Sequence, residues 1–208
     1  MRFATKTIHA AQPSDPSTGA LVAPIFQTST FEQDSPGVNL GFDYSRTNNP
    51  TRQRLESVLA ELESVEHCAV FASGLAAEHA VLQAYLKPGD EVVVPVDVYG
   101  GTYRLLARVF AGMGLKVKPT DTTSLNAVAA AITTGTGLVW LETPTNPRLL
   151  VSDIRAIASL AHAKGALVVV DNTFATPVFQ QPFTLGADLV VHSVTKYLAG
   201  HSDRKSVV

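Results

Sequence analysis

Three short stretches of the chain carry groups that could do chemistry together. Val191-His192-Ser193-Val194-Thr195-Lys196-Tyr197 sets a lysine just past an apolar run, with two hydroxyl residues before it. A lysine desolvated in such a setting can lose its proton and form an imine with an aldehyde, and Ser193 and Thr195 are spaced to help bind a phosphate. Val169-Val170-Asp171-Asn172 ends an apolar run on a carboxylate, which is costly to bury unless it meets a cation. A pyridine nitrogen is one such partner: Asp171 can keep it protonated, so that the ring accepts electrons from a carbanion. Ala72-Ser73-Gly74-Leu75-Ala76-Ala77 is a small-residue turn into a helix. Its free N–H groups suit a phosphate, helped by a helix-dipole contribution of roughly 0.3–1 kcal/mol. Taken singly, each stretch has a plainer reading: a solvated lysine, a turn-forming or capping aspartate, an ordinary strand–helix turn.

The elements that must position these groups alternate along the chain. Apolar runs of strand length fall at 68–71, 91–95, 115–118, 138–141, 166–170 and 188–191, several of them rich in valine. Helix-like segments lie between them at 75–86, 102–113, 125–132 and 153–164. This alternation predicts an α/β fold with a mostly parallel sheet covered by helices on both faces. Residues 173–182 read as a loop. Upstream, residues 1–50 are rich in Pro, Gly, Ser and Thr and have no sustained period, the pattern of an extended arm. Asn49-Pro50-Thr51 predicts a helix start, followed by Leu55, Val58, Leu59, Leu62 and Val65 at helical spacing. The charged residues Arg52, Arg54, Glu56, Glu61 and Glu63 read as the solvated face of that helix. Five polar clusters fall at or just after strand ends: Ser73-Gly74, Asp97 to Tyr99, Glu142 to Asn146, Asp171-Asn172 and Ser193 to Lys196. That edge of an open α/β sheet is where ligands bind. A phosphate cradle, a strand-end aspartate and a strand-end lysine together specify pyridoxal 5'-phosphate far better than any one of them.

The same residues resemble the Cys/Met-metabolism family of pyridoxal-phosphate enzymes, of the cystathionine gamma-synthase and gamma-lyase type. The matching text is Tyr44-Ser45-Arg46, Asn49-Pro50-Thr51, Ser73-Gly74-Leu75-Ala76-Ala77 and Tyr99-Gly100-Gly101-Thr102-Tyr103. It continues with Glu142-Thr143-Pro144-Thr145-Asn146-Pro147, Val170-Asp171-Asn172-Thr173-Phe174, Gly186-Ala187-Asp188 and His192 to Tyr197. The resemblance implies an aspartate-aminotransferase-like large domain over 51–208, incomplete at its C-terminal side, preceded by an arm over 1–50 that contacts a neighbouring subunit. It implies that Lys196 carries the cofactor and shuttles protons. Asp171 would bind the ring nitrogen, Asn146 would sit near the ring hydroxyl, and Tyr99 would stack on the ring and assist proton transfer. Gly74 and Leu75 amides, with Ser73, Thr173, Ser193 and Thr195, complete the implied cofactor set, and Tyr44 and Arg46 would reach the phosphate of a neighbouring subunit. A dimer with shared active sites follows, and a tetramer for the full-length protein.

The implied reaction is gamma-replacement or gamma-elimination on a homoserine ester or cystathionine, in methionine and cysteine metabolism. Gly101 argues against a methionine gamma-lyase, which tends to have cysteine at that position; cystathionine beta-lyase and O-acetylhomoserine sulfhydrylase chemistry stay open. Family members are about twice as long and add a domain bearing a substrate-carboxylate arginine, and residues 204–208 depart from their pattern. The chain is therefore expected to be a truncated product with a read-through ending, a poor enzyme alone or an inactive cofactor-binding relative.

The bulk properties agree with an ordinary globular protein: 46% hydrophobic, 16% charged and a net charge of -2, which gives no reason to expect nucleic acid or a membrane as partner. The first residues lack the apolar core of a signal peptide. With Cys68 as its one cysteine, the chain forms no internal disulfide, which fits the cytoplasm; Cys68 itself reads as a small core residue within a strand. His9, His67, His79, His162, His192 and His201 show no metal-ligand spacing, so no metal site is expected. A nucleotide-binding reading lacks support, since neither G-x-G-x-x-G nor a P-loop is present.

Overall fold

The structure, a computed structural model, describes residues 1–200 and 206–207. His201 and most of the divergent ending lie outside the described residues. The chain divides into two compact units, one ending at Val70 and the other beginning at Phe71.

The first unit holds α1 (Phe3–His9), an antiparallel pair β1 (Gln33–Ser35) and β2 (Val38–Asn39), and α2 (Pro50–Glu63). Helix α2 starts where the sequence placed it. The Asn49 side chain accepts the Thr51 N–H at 2.8 Å, and Pro50 takes the first-turn position, where its missing N–H costs nothing. The charged face of α2 is not the solvated surface read from sequence. Arg52 donates to the carbonyl of Thr47 at 2.6 Å and pairs with Glu56 at 3.5 Å, and Glu56 accepts the Val70 N–H at 3.2 Å. Glu61 accepts the Ala11 N–H at 2.8 Å, while Arg54 donates to the Ala11 carbonyl. Glu63 is buried. The correction has a physical cause: a segment without an apolar core leaves backbone groups unpaired, and long charged side chains supply the partners. Cys68 also departs from expectation, lying half-buried outside any strand. Burial, with Glu56 and Glu63 nearby, pushes its thiol up to about 12.

The second unit is built on a five-stranded sheet: β4 (Glu91–Pro95), β5 (Lys116–Thr120), β6 (Thr136–Glu142), β7 (Leu167–Asp171) and β8 (Leu189–Val191). Two-residue strands β3 (Val70–Phe71) and β9 (Ser206–Val207) lie outside it. The spatial order is β5-β4-β6-β7-β8 and every pairing is parallel. The valine runs have no polar alternation because both faces are covered. Val93, Val139, Leu141, Val168 and Val170 pack on one side with α5 (Leu125–Ala131) and α6 (Ile154–His162). Val92, Val94, Leu138, Trp140 and Val169 pack on the other, against Ala77, Val81 and Leu82 of α3 (Gly74–Tyr85) and Leu106 and Phe110 beyond it.

Two segments differ from the sequence reading. The helix expected over 102–113 starts earlier, as α4 (Gly100–Arg104), and then widens into a π-helical turn (Leu105–Phe110) and a 3-10 turn (Ala111–Met113). The segment read as a loop from Thr173 contains α7 (Thr176–Phe179) and enters a 3-10 turn at Pro182. It is ordered by a reciprocal pair: Asn172 Nδ2 donates to the Gln180 carbonyl at 3.0 Å, and Gln180 Nε2 donates to Asn172 Oδ1 at 2.8 Å. Side-chain amides of this kind carry no periodic signal. Among the described residues no helix is long and apolar enough to cross a membrane.

Candidate functional site

Parallel strands all end on the same edge, so the residues after them converge there. At that edge of the second unit lies a cavity of about 230 Å³, lined by residues from all five strand-end clusters. The volume is below the ~300–1,000 Å³ of pockets for drug-sized ligands and suits one substituted ring.

One wall is the start of α3. Ser73 caps the helix, its hydroxyl accepting the Ala76 N–H at 3.1 Å, while Gly74 and Leu75 are first-turn residues whose N–H groups have no intrahelical partner. Gly74 is needed for a close approach: a Cβ there would stand 3.2 Å from Ser193 Cβ and 3.3 Å from its hydroxyl. Two first-turn amides and a hydroxyl thus come together, a donor set that fits a phosphate.

The floor is acidic. Asp171 ends β7 and pairs in register with Glu142 at the end of β6. Asp171 Oδ1 accepts the Thr173 N–H at 2.9 Å, and Thr173 Oγ1 accepts the Ser193 N–H at 2.8 Å. Burial raises the Asp171 carboxyl above its ordinary range, partly offset by the Thr173 hydrogen bonds and by His192. Glu142 Oε2 accepts the Tyr99 N–H and Oε1 the Asn146 N–H, both at 2.7 Å. Burial, then Asp171, push the Glu142 carboxyl up to about 7. Glu78, on α3, is buried and pushed up to about 8, again by burial first and Asp171 next. Its Oε2 has no hydrogen-bond partner among the described residues.

Lys196 lines the cavity but is exposed, so the desolvated lysine expected from sequence is not what stands here. It follows a turn closed by its own N–H to the Ser193 carbonyl at 3.0 Å, which sets it at the mouth of the cavity. Tyr99, Asn146, Thr173, Ser193 and Thr195 line the same space. Tyr44 and Arg46 belong to the first unit, where Arg46 Nη2 donates to the Tyr44 hydroxyl at 2.9 Å and the guanidinium lies 5.2 Å from the ring centre. Sequence reasoning gave no role to Glu78, Glu142 or Phe174. Glu78 carried a usable signal, four residues after Gly74 and therefore on the same helix face. Glu142 offered only its position at a strand end.

The donor set fits pyridoxal phosphate on structural grounds. No cation salt-bridges Asp171 among the described residues, so a buried carboxylate is poised for a protonated ring nitrogen. Fold and cavity define a parallel-sheet α/β protein with a phosphate cradle, a buried acid and a lysine on one edge.

The sequence matches the family described as Cys/Met metabolism PLP-dependent enzyme over residues 4–206, and the chain belongs to that family. It is 52% identical over 201 residues to cystathionine gamma-synthase of Mycobacterium tuberculosis, covering 96% of this chain and 52% of that protein. It is 50% identical over 203 residues to cystathionine gamma-lyase of Dictyostelium discoideum, covering 97% and 52%. The solved structure of metB from Corynebacterium glutamicum superposes with a TM-score of 0.97 at 44% identity, covering all of this chain and 55% of that one. The chain spans about half the length of the curated relatives it matches.

Proposed function

We propose that this chain carries the cofactor-binding part of a trans-sulfuration enzyme, one that performs gamma-replacement or gamma-elimination on an amino-acid substrate, a homoserine ester or cystathionine. The observation that carries the reading is the convergence of Gly74, Tyr99, Asn146, Asp171, Ser193, Thr195 and Lys196 on one cavity. The relatives named for gamma-synthase and gamma-lyase chemistry support the substrate class.

In this proposal the Gly74 and Leu75 amides and the Ser193 and Thr195 hydroxyls bind the phosphate of pyridoxal phosphate, Ser73 and Thr173 hold those elements in place, and Asn146 meets the ring hydroxyl. When bound, the cofactor supplies an electron-accepting ring that stabilises negative charge at the carbon next to an amino group. Asp171 holds a proton on the ring nitrogen and so maintains that accepting character. The Lys196 amine tethers the cofactor and, when free, takes and returns protons at the substrate carbons, as a positioned base does. Tyr99 covers the ring and passes protons at the same face. Tyr44 and Arg46 serve a second copy of the chain, giving a homo-oligomer, a dimer of shared sites and a tetramer at full length. The single cysteine accords with a cytoplasmic setting.

The test is chemical. Borohydride reduction of the chain loaded with pyridoxal phosphate, followed by peptide mapping, is expected to mark Lys196; a mark on another lysine, or none, ends the reading. Assays of a protein carrying this segment with O-succinylhomoserine, O-acetylhomoserine and cystathionine then separate synthase, sulfhydrylase and lyase activity.

A further inference from the structure

Tyr99 and Asn146 sit in different loops, after β4 and after β6, and neither loop has a regular ladder to fix it. Two side-chain ties join them. Thr145 Oγ1 donates to Asp97 Oδ2 at 2.7 Å. The other tie is Glu142, whose two oxygens each accept one backbone N–H, Tyr99 at Oε2 and Asn146 at Oε1, both at 2.7 Å. Glu142 is buried, 5% exposed, which shields this tie from competing solvent. An ionised carboxylate accepts at both oxygens, whereas a protonated acid or an amide turns a donor toward one of the two N–H groups and loses that bond.

We propose that Glu142 is a positioning residue, a splint whose two oxygens hold the backbone of Tyr99 at a fixed spacing from that of Asn146 across the cavity. The splint is a feature of the chain itself; its consequence for cofactor retention rests on the function proposed above. Glu142 faces Asp171 of β7 and Asp97 of the loop after β4, and it shares the cavity with Glu78 of α3, Tyr99 and the Lys196 amine. Burial and then the like charges favour the protonated acid, and the two amides favour the carboxylate. The balance near neutrality leaves the splint closed on the alkaline side and loosened as pH falls.

The test follows the backbone amides of Tyr99 and Asn146 by nuclear magnetic resonance in the chain without added cofactor, from about pH 5 to 9. Both are expected to shift with one common midpoint, although 47 positions separate them (146 − 99), and to lose that midpoint in Glu142→Gln. Different midpoints, flat profiles, or a titration that survives in Glu142→Gln would overturn the proposal. Glu142→Asp keeps the charge but is one methylene short, and serves if the amide variant does not fold. It is expected to retain the titration at no more than one of the two amides, and a common midpoint preserved at both overturns the splint. With pyridoxal phosphate, Glu142→Gln is expected to hold the cofactor roughly tenfold less tightly, the worth of one hydrogen bond to a charged group. Unchanged retention overturns the positioning role. A borohydride label away from Lys196 instead defeats the cofactor reading and leaves the amide titration to stand or fall separately.

Discussion

Helix α2 and the edge formed by β6 and β7 both contain charged side chains shielded from water, and they use them in opposite ways. On α2 four charges have a partner of suitable sign or polarity: Arg52 meets carbonyls and Glu56, Arg54 a carbonyl, Glu61 an N–H. At the sheet edge Glu78, Glu142 and Asp171 are buried near one another; burial raises the protonation range of all three, Asp171 adds to the rise at Glu78 and Glu142, and Lys196 is exposed at the rim. A folded chain gains nothing from crowding three acids unless something else occupies the site. The charges on α2 that meet counter-charges or single backbone groups are structural, whereas like charges crowded in a cavity with no salt bridge among the described residues point to a ligand.

Replacing the lysine tests that contrast most severely. Lys196→Ala is expected to abolish borohydride labelling completely while changing stability by no more than about 0.5 kcal/mol, as for an exposed side chain. A substantial fall in the denaturant midpoint would make Lys196 a structural charge and weaken the distinction.

Glu78 tests the acidic side. Its carboxyl is raised to about 8 from an ordinary 4.5, so the folded chain binds more protons than the unfolded chain between those values. Stability therefore falls as pH climbs through that window, and the penalty is complete above about 8. Glu78→Gln removes it. Measured without added cofactor, the variant is expected to match the parent near pH 4.5 and to exceed it in unfolding free energy above pH 8, by on the order of 4 kcal/mol. A stability difference that does not depend on pH would show that Glu78 is not crowded in this way.

The sequence made the candidate-site edge legible and left much of the charge chemistry hidden, for one physical reason. Strand ends follow from valine runs and turn residues, which are local signals, so the polar clusters after β4, β6, β7 and β8 meet at one cavity by topology, while Ser73-Gly74 follows β3, outside that sheet. Strand β4 falls on the predicted residues, and β8 within one residue of them. What was missed depends on contacts distant in sequence. Arg54 looks solvated until its partner, 43 residues away, is known. Glu142 looks like a strand terminator until the N–H groups of Tyr99 and Asn146 close on it. The helix in the segment after Asp171 depends on the Asn172–Gln180 pair rather than on any hydrophobic period.

On the α2 side the expected effects are smaller and confined to structure. Ala11 has a left-handed backbone, φ 46°, an uncommon conformation for a residue with a side chain, and Glu61 and Arg54 clasp its N–H and carbonyl. Arg54→Ala is expected to cost about 1–2 kcal/mol through the unpaired carbonyl and to raise amide exchange within residues 1–70. Cofactor retention per folded molecule is expected to stay unchanged. Weakened retention without a loss of stability would assign this charge to the site and blur the contrast with the sheet edge.

A small effect on stability is also expected at Gly101, where the geometry of the site is most exacting. A Cβ added there would stand 2.3 Å from Tyr99 Cε1 and 3.0 Å from Cδ1 and Cζ, so the ring lies over a bare α-carbon. The Tyr99 ring is 40% exposed and can swing outward, so Gly101→Ala is expected to lower stability by less than about 1 kcal/mol. The ring itself has to move. Its side-chain resonances are expected to shift, with the absorbance of bound pyridoxal phosphate shifting in step, while the Glu142 tie to the Tyr99 amide persists, because that bond is made by backbone. A large loss of stability, with unaltered ring signals, would mean that the packing around Tyr99 gives way elsewhere, and that the glycine serves the fold rather than the placement of the ring.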